Sequence, residues 1–350
     1  MIKYIKIYLK KNIFFSYLYF SLYCLFFLPL FILEIINYKF AKKNSEFSYQ
    51  LMIKFFIITG GFSNRILCKI LSFSKTDINN FEINFFHKNN LFFDFPVINN
   101  ELKKNGYHIL AQKFPENEIK EIYSKIFHLS GKYRSDTYSS SNNELLNINK
   151  PKGTKFVYDS NQLLEIDKIQ KILLDKRIIN IAQNYLGCLP VIDIVAAWWN
   201  FPSTKADHNA AQLWHFDMDR PKWIKVFIYL TDCNLNNGPH CFVESSHKKI
   251  PYQLRSKGYA RLEDHEVKKI FHSDKIKTFT ADRGTVLFED TRGLHKGLKV
   301  NANSRLLLQF QYSSSLFGSK QEKLKFPKNQ TDVFKSTIKK SPEIFLNFAK

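Results

Sequence analysis

Cysteine is scarce in this sequence, and its spacing excludes two classes of small domain. The 350 residues include five cysteines, and no two of them form a CxxC pair. They are Cys24, Cys68, Cys188, Cys233 and Cys241. Disulfide frameworks and zinc ribbons space their cysteines closely and regularly. We therefore expect a reducing compartment and a large hydrophobic core, which a content of 45% hydrophobic residues can build.

Acidic residues are scarce too, since 31 Asp and Glu stand against 52 Lys and Arg, for a net charge of +21. The imbalance is greatest at the two ends. Residues 1–75 carry 11 basic and 2 acidic residues, and residues 319–350 carry 8 and 3. No zinc-finger, P-loop or RNA-binding signature accompanies this charge. We expect no nucleic-acid partner, and we interpret residues 319–350 as a basic C-terminal tail.

Charge is absent altogether from Ile13 to Leu33, an apolar run with basic residues on both sides. A helix of about 20 apolar residues is long enough to span a bilayer. Pro29 is expected to bend this helix, and Glu34 to end it. No small-residue cleavage site indicates a signal peptide. We predict membrane association through residues 13–37, on the cytoplasmic side of an inner membrane.

The remainder of the first 75 residues leaves an alternative open. The stretch from Leu51 to Leu71 is apolar but contains Lys54, Arg65 and Lys69, which is typical of an interfacial or core helix. Residues 1–75 are thus a membrane-associated or a capping helical segment. If they form a buried cap, the protein is cytoplasmic. An Asn-rich region, residues 76–101, is predicted to be a polar linker.

Residues 102–318 have the pattern of one globular domain. NGYHIL (105–110) predicts a turn and a strand, and the following segment predicts a helix with Ile119, Ile122 and Ile126 on one face. We expect a long loop over 130–153, a helix over 164–186, and a helical or loop excursion over 251–273. Apolar segments at 191–201, 224–232, 284–290 and 304–313 predict strands. Helices followed by short strands favour an α+β fold with an antiparallel sandwich or barrel core.

The stretch QLWHFDMDR, 212–220, contains two candidate metal ligands. If it is a strand, His215 and Asp217 project from the same face. His295, in GLHKG after a predicted strand, offers a third ligand. Two histidines and one carboxylate are the ligand set of non-haem Fe(II) oxygenases. Arg305 lies on the next strand, and a buried arginine requires an anionic partner such as a dicarboxylate co-substrate.

Other polar residues compete for these roles. Asp219 is the rival of Asp217, and His240 and His247 are rivals of His295, but neither histidine is followed by an arginine at a suitable spacing. Gln212 is a candidate contact for the co-substrate or the substrate. Three basic residues that flank the ligands are expected to be solvated: Arg220, Lys222 and Lys296.

These segments resemble the phytanoyl-CoA dioxygenase family of Fe(II)/2-oxoglutarate enzymes. The resemblance is carried by HFDMD, NNGPHCFVESSH, DRGTVLFEDTRGLHKG and SRLLLQFQY, and it covers roughly residues 102–315. It implies a double-stranded β-helix (jelly-roll, cupin-like) core with flanking helices and an N-terminal apolar helical extension. It places the iron ligands on His215, Asp217 and His295, and the 2-oxoglutarate arginine on Arg305. The family's Pro-Gly-Ser-His turn is replaced here by ESSH, 244–247.

The resemblance implies a dioxygenase that uses Fe(II), 2-oxoglutarate and O2 to hydroxylate a small molecule. Related halogenases lack the carboxylate ligand, so Asp217 favours hydroxylation. The N-terminal segment suggests a lipid-like or envelope-related substrate. Two alternatives remain: a non-oxidative cupin-type metalloenzyme, which would not need Arg305, and a catalytically inactive membrane-associated jelly-roll that acts by binding.

Overall fold

The computed structural model describes residues 13–82, 93–136, 138–258 and 261–349, with side chains from residue 23 onward. The helices are α1 (Ile13–Ala41), α2 (Glu46–Thr59), α3 (Phe62–Leu71), α4 (Phe95–Asn105), α5 (Glu116–Phe127), α6 (Ser160–Leu164), α7 (Asp167–Leu173), α8 (Lys176–Leu186), α9 (Tyr252–Arg255), α10 (Asp264–Lys268) and α11 (Asp332–Lys340). The strands are β1 (Tyr107–Ile109), β2 (Ser130–Tyr133), β3 (Glu144–Leu145), β4 (Lys155–Tyr158), β5 (Val191–Asn200), β6 (Trp223–Tyr229), β7 (His240–Val243), β8 (Ile276–Phe279), β9 (Val286–Glu289), β10 (His295–Gly297), β11 (Arg305–Ser313), β12 (Leu324–Lys325) and β13 (Phe348–Ala349).

Eight strands form one antiparallel sheet in the order β1-β9-β6-β11-β5-β4-β2-β3. Its central strand, β11, is buried along its whole length because β5 and β6 cover its two edges and other layers cover both faces. Residues of β11 therefore alternate between two buried environments. Leu306, Leu308 and Phe310 face the main hydrophobic core, to which the helices contribute. The stripe predicted on α5 is confirmed there, since Ile119, Ile122 and Ile126 are fully buried.

The other face of this sheet packs against a three-stranded antiparallel sheet, β10-β7-β8. Phe227 and Leu307 from the large sheet share one apolar cluster with Phe242 and Phe279 from the small one. Polar residues also line this inner face, because Lys225 is paired with Glu289 across the β6–β9 register. The prediction of a mixed fold with a large antiparallel sheet is confirmed.

Several predicted elements differ from the observed ones. The 212–220 segment is not a regular strand; it forms isolated bridges, His215 with His295 and Trp214 with Leu262. The helix predicted over 164–186 is interrupted, because Asp175 caps α8 with its side chain. The loop predicted over 130–153 contains β2 and β3. The excursion over 251–273 holds two short helices, α9 and α10.

Helix α1 continues through Pro29 and past Glu34 to Ala41, so the predicted helix end at Glu34 is wrong. Glu34 instead accepts a hydrogen bond from the Ser45 hydroxyl (2.7 Å). Among the described residues, Tyr23–Ala41 is the one helical stretch long and apolar enough to cross a membrane, and 11% of it is buried. The basic flank Lys3–Lys11 and the structure of residues 1–12 lie outside the described residues.

The next two helices connect this segment to the globular domain. Ile53 and Phe56 of α2 pack with Trp214, Phe216 and Met218, the apolar residues of the 212–220 motif. Helix α2 is therefore a core element that supports the motif from behind. Within residues 1–75, the capping alternative therefore describes α2. It does not describe the exposed side of α1, which packs against no other described part of the chain.

The predicted linker and tail both join the core, which corrects two boundaries. In the described part of residues 76–101, Phe81, Phe93 and Ile98 are buried in the main core, and α4 crosses the expected boundary at residue 102; residues 83–92 lie outside the described ranges. At the C-terminal end, Phe334 and Phe345 are buried in the same core. The burial of these aromatic side chains stabilises the packed state, although the surrounding sequence is rich in charged residues.

Candidate metal centre

Three side chains from two segments, 212–220 and β10, converge at one end of the small sheet. The imidazoles of His215 and His295 and the carboxylate of Asp217 each offer a ligand atom, and these atoms lie within 4.8 Å of one another. Asp217 lies 3.9 Å from Nε2 of His215 and 3.8 Å from Nε2 of His295. Within the described ranges, this is the only cluster of three or more His, Cys, Asp or Glu side chains suited to a metal ion.

The backbone brings these residues together. His215 and His295 exchange two backbone hydrogen bonds, of 3.0 and 2.8 Å, so the 212–220 segment runs along the edge of β10. The Asp217 N–H donates to the Thr291 carbonyl (2.9 Å), which extends this pairing. Residues 215 and 217 then project together, as the alternation predicted, although the segment is not a regular strand.

Hydrogen bonds also orient both rings. Nδ1 of His215 lies 2.8 Å from the Leu213 carbonyl, and Nδ1 of His295 lies 3.0 Å from the Gly293 carbonyl. A carbonyl oxygen can only accept, so each Nδ1 carries the proton and each Nε2 presents a lone pair to the centre. Burial lowers the pKa of both imidazoles, which keeps them neutral as metal ligation requires.

The carboxylate of Asp217 is held in its ionised form. Burial alone would raise its pKa, but the positive charge of Lys225 and its hydrogen bond lower it strongly. Lys225 Nζ donates to Asp217 Oδ2 at 2.7 Å. The second oxygen, Oδ1, faces His215. Two neutral imidazoles and an ionised carboxylate form a donor set that fits a divalent iron ion.

Arg305 lies at the start of β11 with its side chain on the inner face of the large sheet and is only 4% exposed. Its guanidinium donates to the Gly238 carbonyl and to Oδ1 of Asn200, the latter at 3.0 Å. Its Nε is buried without a hydrogen-bond partner, and no carboxylate among the described residues forms an ion pair with it. A buried guanidinium with spare donors fits the carboxylate of an anionic ligand.

Other cations share this interior. Lys155 and Arg305 are paired with Asn200 from the two sides of β5, and Nζ of Lys155 lies 4.8 Å from the centre of the Trp198 ring. Burial, Lys225 and Arg305 lower the pKa of Lys155 to about 8. Burial is the main cause of this lowering, and the charges of Lys225 and Arg305 add to it, so an anion beside Lys155 would be stabilised. A dicarboxylate is such an anion.

Gln212 is buried, but its amide oxygen is already engaged. Oε1 accepts from the Asp207 backbone N–H at 2.9 Å, which ties the 207–212 loop. Its Nε2 is buried and has no hydrogen-bond partner. Contact with a co-substrate or substrate therefore remains a prediction for this amide nitrogen only.

The rival residues take other places. Asp219 is not one of the three convergent ligands, and burial and the charge of Asp217 raise its pKa to about 6. Nε2 of His240 contacts the Glu289 carboxyl at 2.8 to 2.9 Å. Nε2 of His247 is 3.3 Å from the Lys103 carbonyl, on the outer side of the domain. None of the three completes the metal cluster.

The expectation that the flanking cations are solvated is wrong for two of them. Arg220 is 2% exposed and forms two hydrogen bonds of 2.8 Å with the buried carboxylate of Asp193. Lys296 is 7% exposed, donates to Asp264 at 2.6 Å and lies over the ring of Trp214. Each cation is buried because a carboxylate from a distant segment neutralises it.

Two buried groups were missed by the sequence analysis. Lys225 donates to Asp217, one of the three candidate metal ligands. In the sequence it could have been recognised as the single charged residue of an otherwise apolar strand. Glu289 is fully buried beside His240, and burial raises its pKa to about 8. In the sequence it could have been recognised as the charged residue at the end of an apolar strand.

Comparison with known proteins identifies the family of this chain. The family model described as phytanoyl-CoA dioxygenase (PhyH) matches residues 102–305, more than half of the chain. The chain belongs to this family. The phytanoyl-CoA dioxygenase family comprises non-haem iron enzymes, and Fe(II), 2-oxoglutarate and O2, expected from the sequence, are its cofactor set. No curated protein sequence matches the chain.

Solved structures with a similar fold are distant in sequence. The α-ketoglutarate-dependent epimerase SnoN from nogalamycin biosynthesis is 14% identical, with a TM-score of 0.46 over 63% of this chain and 82% of that one. AviO1 from Streptomyces viridochromogenes is 15% identical, with a TM-score of 0.42 over 63% and 95%. HygX from Streptomyces hygroscopicus, solved with nickel, 2-oxoglutarate and hygromycin B, is 16% identical, with a TM-score of 0.42 over 63% and 87%.

Proposed function

We propose that the protein is an Fe(II)- and 2-oxoglutarate-dependent dioxygenase that hydroxylates a lipid-like small molecule. One observation carries the proposal: the ligand atoms of His215, Asp217 and His295 lie within 4.8 Å of one another, with both imidazole tautomers fixed for ligation. The two facing antiparallel sheets that hold them match a double-stranded β-helix, the jelly-roll expected from the sequence.

In this proposal the three residues hold iron on one face and leave the opposite face open. Arg305 binds the far carboxylate of 2-oxoglutarate through its unpaired Nε edge. With these cofactors bound, the centre would use O2 to insert one oxygen atom into a C–H bond of the substrate, and the other oxygen atom would enter succinate as 2-oxoglutarate loses CO2. Asp217 occupies the ligand position that halogenases leave to a halide, which favours hydroxylation.

The polar interior has a positioning role. Lys225 holds one oxygen of Asp217, so the carboxylate has a fixed orientation before iron arrives. The ring of Phe227 lies 5.4 Å from that of His240, which in turn lies 5.6 Å from that of His295. The buried Arg305, whose Nε has no hydrogen-bond partner in the described chain, is also the observation that favours this function over a non-oxidative cupin-type metalloenzyme.

The test is succinate formation by the purified full-length protein with Fe(II), 2-oxoglutarate and O2, combined with mass spectrometry of candidate substrates. A hydroxylated product is one oxygen atom heavier than its substrate. We expect turnover that is lost in His295→Ala, together with this gain of oxygen. Substrate conversion without succinate would overturn the dioxygenase proposal, and succinate with a product of unchanged mass would overturn hydroxylation.

We also propose that the protein is attached to the cytoplasmic face of a membrane through α1. The exposed side of this helix is apolar from Leu25 to Ile36, whereas Asn37 and Lys39 are exposed in its last turns. Its exposed large apolar residues are Leu25, Phe26, Leu28, Leu30, Ile32, Leu33, Ile36 and Phe40. A helix side with this many exposed apolar residues is typical of membrane or protein contacts. The full-length protein should sediment with membranes and resist protease until the cell is opened. Soluble behaviour without detergent would contradict the attachment.

A further inference from the structure

A second cavity, of about 400 Å³, lies outside the metal centre, between α3, the end of α8 and residues 247–255. Half of the sixteen residues that line it are lysine or arginine, and none is aspartate or glutamate. Phe56 separates it from the metal-binding segment, since this ring lines the cavity and packs against Phe216 at 6.0 Å. The cavity is therefore a distinct site behind the motif.

The charge of this cavity is almost entirely uncompensated. Arg292 pairs with Asp290, but none of the other lining cations forms an ion pair with a carboxylate of the described chain. Lys222, half-buried, donates to the Tyr185 carbonyl and lies 4.3 Å from the centre of that ring. Burial and the charge of Arg292 lower its pKa to about 8. An anion in the cavity would stabilise these charges.

The cationic wall is also partly fixed in place. Arg255 donates from Nε to the Ile57 carbonyl (2.7 Å) and from Nη1 to the Ile250 carbonyl (2.8 Å). These bonds join the end of α2 to the 250–255 segment. Its guanidinium carbon lies 3.6 Å from the position that a Cβ would take at Gly60, whose φ is +63°. A Cβ at that distance would make an ordinary van der Waals contact, so it is the left-handed backbone, not the guanidinium, that favours glycine at position 60.

Helix α3 links the cavity to an exposed apolar surface. Phe62, Ile66 and Ile70 recur every four residues on its outer side and are 53%, 43% and 44% exposed. Arg65 and Lys69, one position earlier in each turn, form the neighbouring stripe and line the cavity. An amphipathic helix with adjacent apolar and basic stripes suits the boundary of an anionic bilayer.

We propose that this cavity binds the phosphate of an anionic lipid headgroup while the apolar stripe of α3 lies in the adjoining bilayer. Arginine and lysine are the preferred protein partners of phosphate, and a cavity without acidic residues does not repel it. The bilayer part of this inference rests on the membrane attachment proposed above. The cavity itself does not, because its charge and its lining are independent of α1.

The first experiment compares full-length protein on vesicles of phosphatidylcholine alone and of phosphatidylcholine mixed with phosphatidylglycerol. We expect preferential binding to the anionic vesicles. The double variant Arg65→Gln/Lys69→Gln should lower this binding on the order of 20-fold. The matched control is Lys335→Gln/Lys339→Gln, the same loss of charge at the same spacing on the exposed side of α11. It should bind like the unaltered protein.

A second variant separates entry into the cavity from attraction to a basic surface. Lys222→Met removes a charge at the base of the cavity, where it cannot lie on a flat membrane. We expect it to lose the preference for anionic vesicles while it keeps the binding to phosphatidylcholine. Retention of the full preference in a variant with unchanged thermal unfolding would overturn the proposed headgroup site.

The outcomes also separate this proposal from the attachment. Equal binding of the unaltered protein to both vesicle types would support attachment and overturn the headgroup site. If neither vesicle is bound, attachment fails, and so does the lipid assignment. Calorimetry with glycerol 3-phosphate then tests the cavity alone: binding that Lys222→Met abolishes supports a phosphate site for a soluble ligand, and an absence of binding overturns the site itself.

Discussion

Arg305→Ala provides the sharpest test of how the co-substrate is held. Arg305 is 4% exposed, and its Nε has no protein partner. The substitution would leave the far carboxylate of 2-oxoglutarate desolvated and unpaired. Loss of one partner from a buried charge pair costs about 3–5 kcal/mol. Since each 1.4 kcal/mol is a factor of ten, the KM for 2-oxoglutarate should rise by on the order of 10²–10³-fold.

A graded variant refines this expectation. Arg305→Lys keeps the charge but loses the planar fork, so its KM should rise by about tenfold, the equivalent of one hydrogen bond to a charged group. The assay is succinate formation as a function of 2-oxoglutarate concentration. Iron affinity should be unchanged in both variants, because Arg305 is not a ligand. Arg283→Ala, which removes a more exposed arginine from the turn before β9, is the control.

Two results would refute this reasoning. An unchanged KM in a folded Arg305→Ala variant would assign the carboxylate to another cation of the interior, such as Lys155. A parallel loss of iron binding would mean that Arg305 is structural, because it also donates to Asn200 Oδ1 and the Gly238 carbonyl. Thermal unfolding of the variant distinguishes this second case. Lys296 and Arg292 are weaker alternative anchors, because each already pairs with an aspartate.

Three further predictions follow from the buried charges. Asp217→Ala should abolish stoichiometric iron binding and succinate formation, whereas Asp219→Ala should retain most of both; equal binding in the two variants would contradict the ligand assignment. Arg220→Met should lower the free energy of unfolding by about 3–5 kcal/mol, because it leaves Asp193 buried and unpaired; denaturant titration measures this. Arg292 lowers the pKa of Asp290 to about 2 against the effect of burial, so stability of about 2 kcal/mol should be lost as the pH falls through 4 towards 2. An Asp290→Asn variant should show a flatter dependence, and an unchanged profile would refute this.

Much of the strand content was predictable from the sequence, for a physical reason. Strands that are buried on both faces are rich in apolar residues, and the segments at 191–201 and 304–313 coincide with β5 and β11. The convergence of His215, Asp217 and His295 followed from ligand chemistry and from family resemblance. Its geometry, with both Nδ1 atoms bonded to carbonyls two residues earlier, is local and agrees with the alternation in the sequence.

The features that the sequence did not predict depend on contacts between distant segments. Arg220 was expected at the surface because its partner, Asp193, lies on β5, and nothing in the sequence pairs the two residues. The C-terminal segment was interpreted by its charge, although Phe334 and Phe345 bury against the main core. In each case the local composition indicated solvent, and a partner remote in sequence made burial favourable.

The 212–220 segment illustrates the same limit at the centre itself. Its alternation predicted a strand, but a strand requires a regular partner on at least one edge. Only His215 and Trp214 form bridges, so the segment is held by single contacts and by the packing of α2 behind Phe216. Its sequence specified which residues point together, and the tertiary structure determined how they are supported.

Anaerobic addition of Fe(II) and 2-oxoglutarate to the full-length protein tests the central claim most directly. Chelation of iron by the keto acid at a centre of two histidines and one carboxylate should produce a weak visible charge-transfer band. The band should require both additions, be absent in His295→Ala, and need much more 2-oxoglutarate in Arg305→Ala. Iron binding without any band at saturating 2-oxoglutarate would contradict the claim that this centre is an Fe(II)/2-oxoglutarate site.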